Sequence, residues 1–467
     1  MIYINNKWGV VKDYSQQDLN FFKTNFTIED FSKCYMNGKF NKDYVTYKKF
    51  FFVKEEEKSI IFFAQLIDYI EQNFPEFLTR HTIKDTRKKL NFSFETIKDF
   101  NLRDYQLDCL KKINSSCIIE APTGAGKTHI SLALIKLLLE ETKGKILYIA
   151  PNVDILKKTI ETAKQFFPEE MLGLTCTNNN ICDKPIQFST PQSAGKNNLE
   201  EYKILIYDEV HTASSPTIQQ LLKSHTFDFL FGFSATPFVN QLNKIQISQF
   251  FGKKIVIENY KNLIENNFLT KPTFIFLKVD YPLQFKDKAR YYKDLPYLTI
   301  EQNLIVENEY RNKKIVEVAL KEAESGNKVL ILVKLLRHKE ILKELFEKTS
   351  FVEKIYYLDG NEKGEKRSKV IKEIESNKEG TIIITSQIFK QGVDIPSLNV
   401  LILADGMSAE YLALQKAGRV LRIAENKKDA KIYDFWDNFL PLLYNRTKKR
   451  EKSYKKIANA EIKTMEI

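Results

Sequence analysis

The stretch IIEAPTGAGKTHISLALI, residues 118–135, decides the fold. It opens on a β-branched apolar run, passes through a loop with two glycines and ends in a helical apolar pattern. Its core, Ala121-Pro-Thr-Gly-Ala-Gly126-Lys127-Thr128, fits the phosphate-loop pattern, with Ala121 where the strict form has glycine. Thr123, Gly124, Ala125 and Gly126 form the cradle. Its backbone N–H groups turn inward on phosphate oxygens, and the helix that follows adds its positive end. Lys127 then reaches the β- and γ-phosphates of ATP, and the Thr128 hydroxyl binds Mg²⁺. A chance glycine turn would have no reason to be preceded by a strand and followed by a helix.

Outward from this loop, short β-branched runs alternate with amphipathic helical stretches. KILYIAP is followed by DILKKTIETAKQFF, then come KILIYDE and FLFGFSATP. A second series starts near residue 310, with KIVEVALKEAES, KVLILVK, HKEILKELFEK, KIYYLDG, TIIITSQ, NVLILAD and KIYDFWD. Alternation of this kind predicts parallel sheets covered on both faces. Residues 1–95 have a different texture, mixing a strand-like aromatic run (YKKFFFV, 47–53) with a helical one (SIIFFAQLIDYIEQNF, 59–74). The expected layout is α/β. A small α+β domain covers 1–95, a first parallel-sheet domain 96–270, a connector 271–308, a second parallel-sheet domain 309–445 and a basic helix or tail 446–467.

KILIYDEVHTAS, residues 203–214, raises a problem of charge. A strand buried on both faces ends in two adjacent carboxylates, Asp208 and Glu209, which repel and are costly to desolvate. A Mg²⁺ shared with the phosphate loop resolves this. Asp208 holds the metal, and Glu209 lies at its edge, placed to orient and deprotonate an attacking water. His211 reads either as a satisfied polar residue or as a link from the acids to other parts of the site.

The chain of 467 residues suits roughly three domains at about 150 residues each. Its net charge of +12 favours a polyanionic partner, nucleic acid before membrane, although a lysine-rich coding bias would give the same excess. The five cysteines form no CxxC pair, which argues for a reducing compartment without disulfides or a zinc site. No window has the length of a membrane span, and the N-terminus lacks a signal pattern. The expectation is a soluble, cytoplasmic monomer, in a bacterium or a phage-infected host, with no membrane role and with protein partners left unknown.

Asp208-Glu-Val-His211 resembles the DExH box of superfamily-two helicases, and other parts of that pattern occur in order. LRDYQLD supplies Arg103 and Gln106, similar to the adenine-side motif. IAPNVDILKKT and FSTPQS resemble the strand-tracking motifs, which brings in Pro151, Asn152, Thr190 and Gln192. Ser234-Ala-Thr236 resembles the motif that couples hydrolysis to strand contacts, with His211 as its partner. ITSQIFKQGVDIP resembles motif V, with Thr385 toward the strand and Gly392 and Asp394 toward the nucleotide. Gln415-Lys-Ala-Gly-Arg419-Val-Leu-Arg422 resembles motif VI. Arg419 and Arg422 are spaced i, i+3, which on a helix puts them on one face, where they can act as arginine fingers. Gln415 falls on the same face and can order phosphate or water. Lys334 reads equally as a phosphate contact or a solvated lysine. The resemblance implies two RecA-like domains in tandem.

Within the superfamily the layout resembles phage branched-DNA helicases of the UvsW type, and more distantly RecG and XPB-like translocases. That implies ATP-driven remodelling of forks, Holliday junctions and R-loops, with branched or forked DNA as partner. RecG carries a large wedge domain for which no segment here is long enough, so a branch-selecting element must come from 1–95 or the connector. Tyr47, Lys48, Lys49, Phe51 and Phe52 form either an aromatic-basic DNA face or simply core. Alternative readings are an RNA helicase, the motor subunit of a restriction or defence nuclease, and a binding protein with a relic ATP site.

Overall fold

The computed structural model describes residues 1–36, 39–176, 179–181, 183–350, 355–358, 364–377, 379–386, 395–406, 416–424, 427, 429–455, 457 and 461–467. The chain divides into two units, Met1–Pro122 with Gly126–Glu258, and Thr123–Ala125 with Asn259–Ile467. No helix among the described residues is long and apolar enough to cross a membrane.

The first unit is built on an eight-stranded sheet. Its order is Asn179–Ile181, Leu172–Cys176, Ile186–Ser189, Lys145–Ile149, Tyr202–Asp208, Phe229–Ser234, Cys117–Glu120, Lys253–Val256. Neighbours are parallel except for the hairpin of the first two. The strands are apolar because helices cover both faces, and Ile204, Leu205, Ile206 and Tyr207 are all fully buried. Register sets Glu120 beside Ser234, and Asp208 beside Phe233, along one carboxyl edge. Ligands of parallel sheets bind at that edge.

The second unit has a seven-stranded sheet, all parallel. Its order is Ile355–Leu358, Thr381–Ser386, Lys328–Val333, Val400–Leu403, Ala430–Phe435, Pro272–Lys278, Glu461–Glu466. The molecule is thus an α/β protein with two RecA-like sheets in tandem, preceded by an α+β region. Two strands come from segments that the sequence gives to a connector and a basic tail. Pro272–Lys278 begins with proline, tolerated at the first position of a strand, and lies beside Ala430–Phe435. Glu461–Glu466 pairs only with Pro272–Lys278, so its strand character depends on a remote partner.

The N-terminal region carries a five-stranded sheet in the order Phe52–Lys54, Ser59–Phe63, Trp8–Lys12, Ile2–Ile4, Ile83–Asp85. The helical reading of 59–74 is corrected in its first part. Ser59–Phe63 is a strand paired with Trp8–Lys12, and only Leu66–Asn73 is α-helix. Ile60 and Phe62 are fully buried on one face of that strand, a period of two hidden inside a continuous apolar run.

This region belongs to the first unit and shares its core. Phe63 packs against Phe250, with ring centroids 4.5 Å apart, and Ile245 joins the N-terminal cluster. Gln72 Nε2 donates to the Lys254 carbonyl, and Lys88 pairs with Asp228. The seam is organised by Arg87, whose guanidinium makes two bonds to Asp68 at 2.7 and 2.8 Å and others to Asp85 and Gln65. Gly252, at φ +80°, lies so close that a Cβ there would stand 2.9 Å from Asp68 Oδ2. Arg87→Ala leaves Asp68 buried without its partner, which typically costs about 3–5 kcal/mol. The expected result is a clear drop in the denaturant midpoint of the whole unit, whereas an unchanged midpoint would show the clamp to be energetically idle.

Candidate active site

The phosphate loop leaves the strand Cys117–Glu120 and enters the helix Lys127–Thr142. Gly124 and Gly126 have φ of +89° and +81°, left-handed values that only glycine adopts without strain. Gly126 is doubly constrained, because a Cβ there would collide with the Gln106 side-chain amide. Gln106 is buried, and its Oε1 accepts the Arg103 N–H at 2.9 Å. The structure therefore brings Arg103 and Gln106 to the loop. Lys127 Nζ donates to the Ala121 carbonyl at 3.3 Å, and Ala121 N–H donates to the Ser234 carbonyl at 3.0 Å.

Asp208 ends the central strand beside this loop. Burial and the adjacent Glu209 charge push its carboxyl up to about 7, against the pull of Lys127. Glu209 moves the other way. Burial opposes its ionisation, but the His211 hydrogen bond and the Lys127 charge hold it below the usual carboxylate range. Two neighbouring acids are thus driven apart in acidity, as in sites that divide roles between carboxyl groups.

Glu209 also has a left-handed backbone, φ 54° and ψ 53°, a conformation that costs a non-glycine residue about 1–3 kcal/mol. The turn that follows fixes it. Glu209 N–H donates to Asp208 Oδ1 at 2.9 Å, while Thr212 N–H and Oγ1 donate to the Glu209 carbonyl at 2.9 and 3.0 Å. The side chain meets His211 and Ser234. His211 Nδ1 lies 3.3 Å from Glu209 Oε2 and 3.1 Å from Ser234 Oγ, and Ser234 Oγ donates to Glu209 Oε2 at 3.4 Å. Thr236 N–H donates to Ser234 Oγ at 3.2 Å, which ties the second coupling residue to the first.

One member of this neighbourhood has no signal in the sequence. Asn243 Nδ2 donates to the His211 carbonyl at 3.0 Å and to Ser214 Oγ at 2.9 Å, and its Oδ1 accepts the Val239 N–H at 3.0 Å. It staples the turn after Glu209 to the loop after Thr236. Its role comes from tertiary packing of the helix Gln241–Phe251 and from no local motif.

Among the strand-tracking candidates, Asn152 caps the helix Val153–Ala163 through Ile155 N–H at 2.9 Å. Pro151 is half-buried beside it, Thr190 is buried and Gln192 is exposed. In the second unit Lys334 pairs with Glu301 and stands 5.2 Å from the Tyr297 ring centroid. Thr385 is buried, with its hydroxyl donating to the Ser386 carbonyl at 3.3 Å.

Gln415, Gly392 and Asp394 lie outside the described residues. The helical face expected for Arg419 and Arg422 is corrected. Among the described residues there only Lys416 and Ala417 are helical, and the chain turns at Gly418, so Arg419 lies in the turn and Arg422 in a bend. Lys416 Nζ is anchored on Asp405 at 2.6 Å. The Arg422 carbonyl accepts Lys427 Nζ at 2.7 Å and Thr270 Oγ1 at 3.2 Å.

Two family models match in tandem, together over more than half of the chain. These are the type III restriction enzyme res subunit model over residues 99–239 and the helicase conserved C-terminal domain model over 311–424. The chain is 27% identical over 352 residues to the ATP-dependent DNA helicase uvsW of Enterobacteria phage T4, covering 72% of this chain and 68% of that protein. It is 24% identical over 380 residues to the DNA 3'-5' translocase XPB2 of Sulfurisphaera tokodaii, covering 72% and 81%. Among solved structures it is similar to the ATP-dependent type ISP restriction-modification enzyme LlaBIII bound to DNA. The TM-score is 0.57 at 16% identity, over 85% of this chain and 32% of that one, a likeness of fold alone. With the phosphate loop, the Asp208-Glu209 pair and the two sheets already placed, these matches identify the chain as a superfamily-two DExH helicase, an ATP-hydrolysing enzyme similar to the phage helicases of the UvsW type.

Proposed function

We propose that the chain is a DNA helicase or translocase that unwinds or branch-migrates branched DNA, namely forks, Holliday junctions and R-loops, by Mg-ATP hydrolysis. The observation that carries the reading is similarity to a phage DNA helicase and to an archaeal DNA translocase, in a chain with an assembled Glu209–His211–Ser234 cluster. It works as a monomer in the cytoplasm.

The loop Thr123–Gly126 and Lys127 bind the ATP phosphates, and Arg103 and Gln106 hold the adenine side. The donor set at the carboxyl edge suits a divalent cation, because the half-buried Asp208 carboxyl faces a neighbouring acid and resists ionising without more positive charge. Asp208 and Thr128 would hold Mg²⁺, whose charge offsets that of the phosphate oxygens. Glu209 orients the attacking water and takes its proton. His211 and Ser234 hold the Glu209 carboxylate in place and, through Thr236, link it to the strand-tracking loops. Arg419 and Arg422 neutralise charge in the transition state, Gln415 orders the water, and Gly392 and Asp394 complete nucleotide binding. Pro151, Asn152, Thr190, Gln192, Lys334 and Thr385 follow the translocated strand; the buried Thr385 acts through its backbone.

The test is ATPase stimulation by single-stranded, duplex, forked and four-way DNA and by RNA, measured side by side. Forked and four-way DNA are expected to stimulate most. Strongest stimulation by RNA would replace this reading with an RNA helicase, and equal stimulation by linear and branched DNA would leave a generic translocase. Deleting residues 1–95 is not a clean test of branch selection, because it exposes Phe250 and Ile245 of the motor core.

A further inference from the structure

A groove of about 800 Å³ runs between the N-terminal region and the first motor sheet's helices. One wall is the strand Thr46–Lys49 with Phe52, and the other is the helix Pro216–Ser224. Phe51 is buried in the core, but Tyr47 and Phe52 are 62% and 58% exposed, unusual for rings this large. Lys48 is paired with Asp30 at 2.7 Å. Lys49 and Lys223 have no carboxylate partner among the described residues, and no Asp or Glu lines the groove. Exposed rings beside unpaired ammonium groups, with no acid to repel an anion, match a polyanionic strand whose bases can stack.

Hydrogen bonds link residues lining the groove to the turn after Glu209. Gln219 Nε2 donates to the Ala213 carbonyl at 3.0 Å, and Asn243 joins Ser214 to the His211 carbonyl. Both attach to the turn Val210–Ser214, which directly follows Glu209.

We propose that this groove is a docking site for one DNA strand of a branched substrate, distinct from the tracked strand. Lys49 and Lys223 take its phosphates, Tyr47 and Phe52 stack its bases, and its occupation is felt at Glu209 through the turn Val210–Ser214. The proposal rests on the DNA-remodelling reading above and adds where a second strand binds and how it stimulates hydrolysis.

The test compares the full-length protein with K49A/K223A, with F52A, and with K288A/K313A, a pair of exposed lysines of the second unit, as a charge-matched control. Thermal melting checks that each variant folds. Affinity for a labelled DNA fork and for the same fork in RNA is measured across a salt series, followed by the maximal ATPase rate at saturating fork. Loss of two phosphate contacts should make the slope of log affinity against log salt shallower by about 1.4, and loss of a stacked base should weaken binding about fivefold or more. The control should do neither, and maximal stimulation should fall in both groove variants. Docking is overturned if groove variants and control match the wild type in affinity and slope, or if only RNA affinity falls. The relay is overturned if affinity falls while the maximal rate at saturation is kept. A wild type that neither binds forks nor is stimulated by DNA would overturn the DNA-remodelling reading itself; a wild type that remodels forks, with groove variants equal to it, overturns only the groove.

Discussion

Glu209→Gln is expected to keep ATP binding and to lose turnover by about 10²–10⁴-fold, the usual loss when a positioned general base is removed. The substitution preserves shape and leaves an oxygen that can still face His211 and Ser234, so the turn and the phosphate loop should stay folded. What disappears is the carboxylate that His211 and Lys127 keep ionised despite burial. Asp208→Asn should behave differently, because the lost charge there belongs to the metal site, and nucleotide affinity in the presence of Mg²⁺ should fall with the rate. The measurement is steady-state ATPase beside binding of a fluorescent nucleotide. A Glu209→Gln enzyme within twofold of the wild-type rate would remove Glu209 from the chemistry. The strained backbone at this residue makes a further comparison informative. Glu209→Gly relieves the left-handed strain and removes the base together, so it should be inactive without being less stable.

Local rules reach a definite distance in this chain. The strand, glycine loop and helix of 118–135 obey short-range rules, since the glycines occupy positive φ and the helix starts at Lys127. The buried strand ending in Asp208 follows equally from its apolar run and from the cost of two adjacent acids. Where pairing is remote, local texture misleads. Ser59–Phe63 reads as helix because a continuous apolar run fits either period, and Glu461–Glu466 reads as tail because its one partner lies far back in the sequence. The i, i+3 spacing of Arg419 and Arg422 implies one helical face only if the helix continues, and Gly418 turns the chain instead. Asn243 shows the other limit. An asparagine in an amphipathic helix has no signature until folding sets it against His211, Ser214 and Val239.

Alanine at Arg419 or at Arg422 is expected to abolish DNA-stimulated hydrolysis while ATP binding persists. An arginine aimed at a transferring phosphoryl group is typically worth about 10³–10⁵ in rate. Nothing else assigned to the γ-phosphate in this chain carries a fixed fork of donors, since Lys127 is a single ammonium on a flexible stem. The two arginines should not be equal. The Arg422 carbonyl is held by Lys427 and Thr270, and the Arg419 N–H donates to the Lys416 carbonyl at 3.2 Å within the turn at Gly418, so the two side chains leave the backbone from different settings. Arg422→Lys should therefore keep charge in nearly the right place yet recover little activity, because an ammonium cannot reproduce bidentate contact. The readout is the maximal ATPase rate at saturating fork beside nucleotide affinity, with thermal melting to show that each variant is folded. A loss confined to DNA affinity, with the maximal rate kept, would move these arginines from the phosphate to the strand. A variant hydrolysing ATP at the wild-type rate would show that the second RecA-like sheet contributes no arginine to the chemistry, and the proposed arginine contribution from the second unit would fall with it.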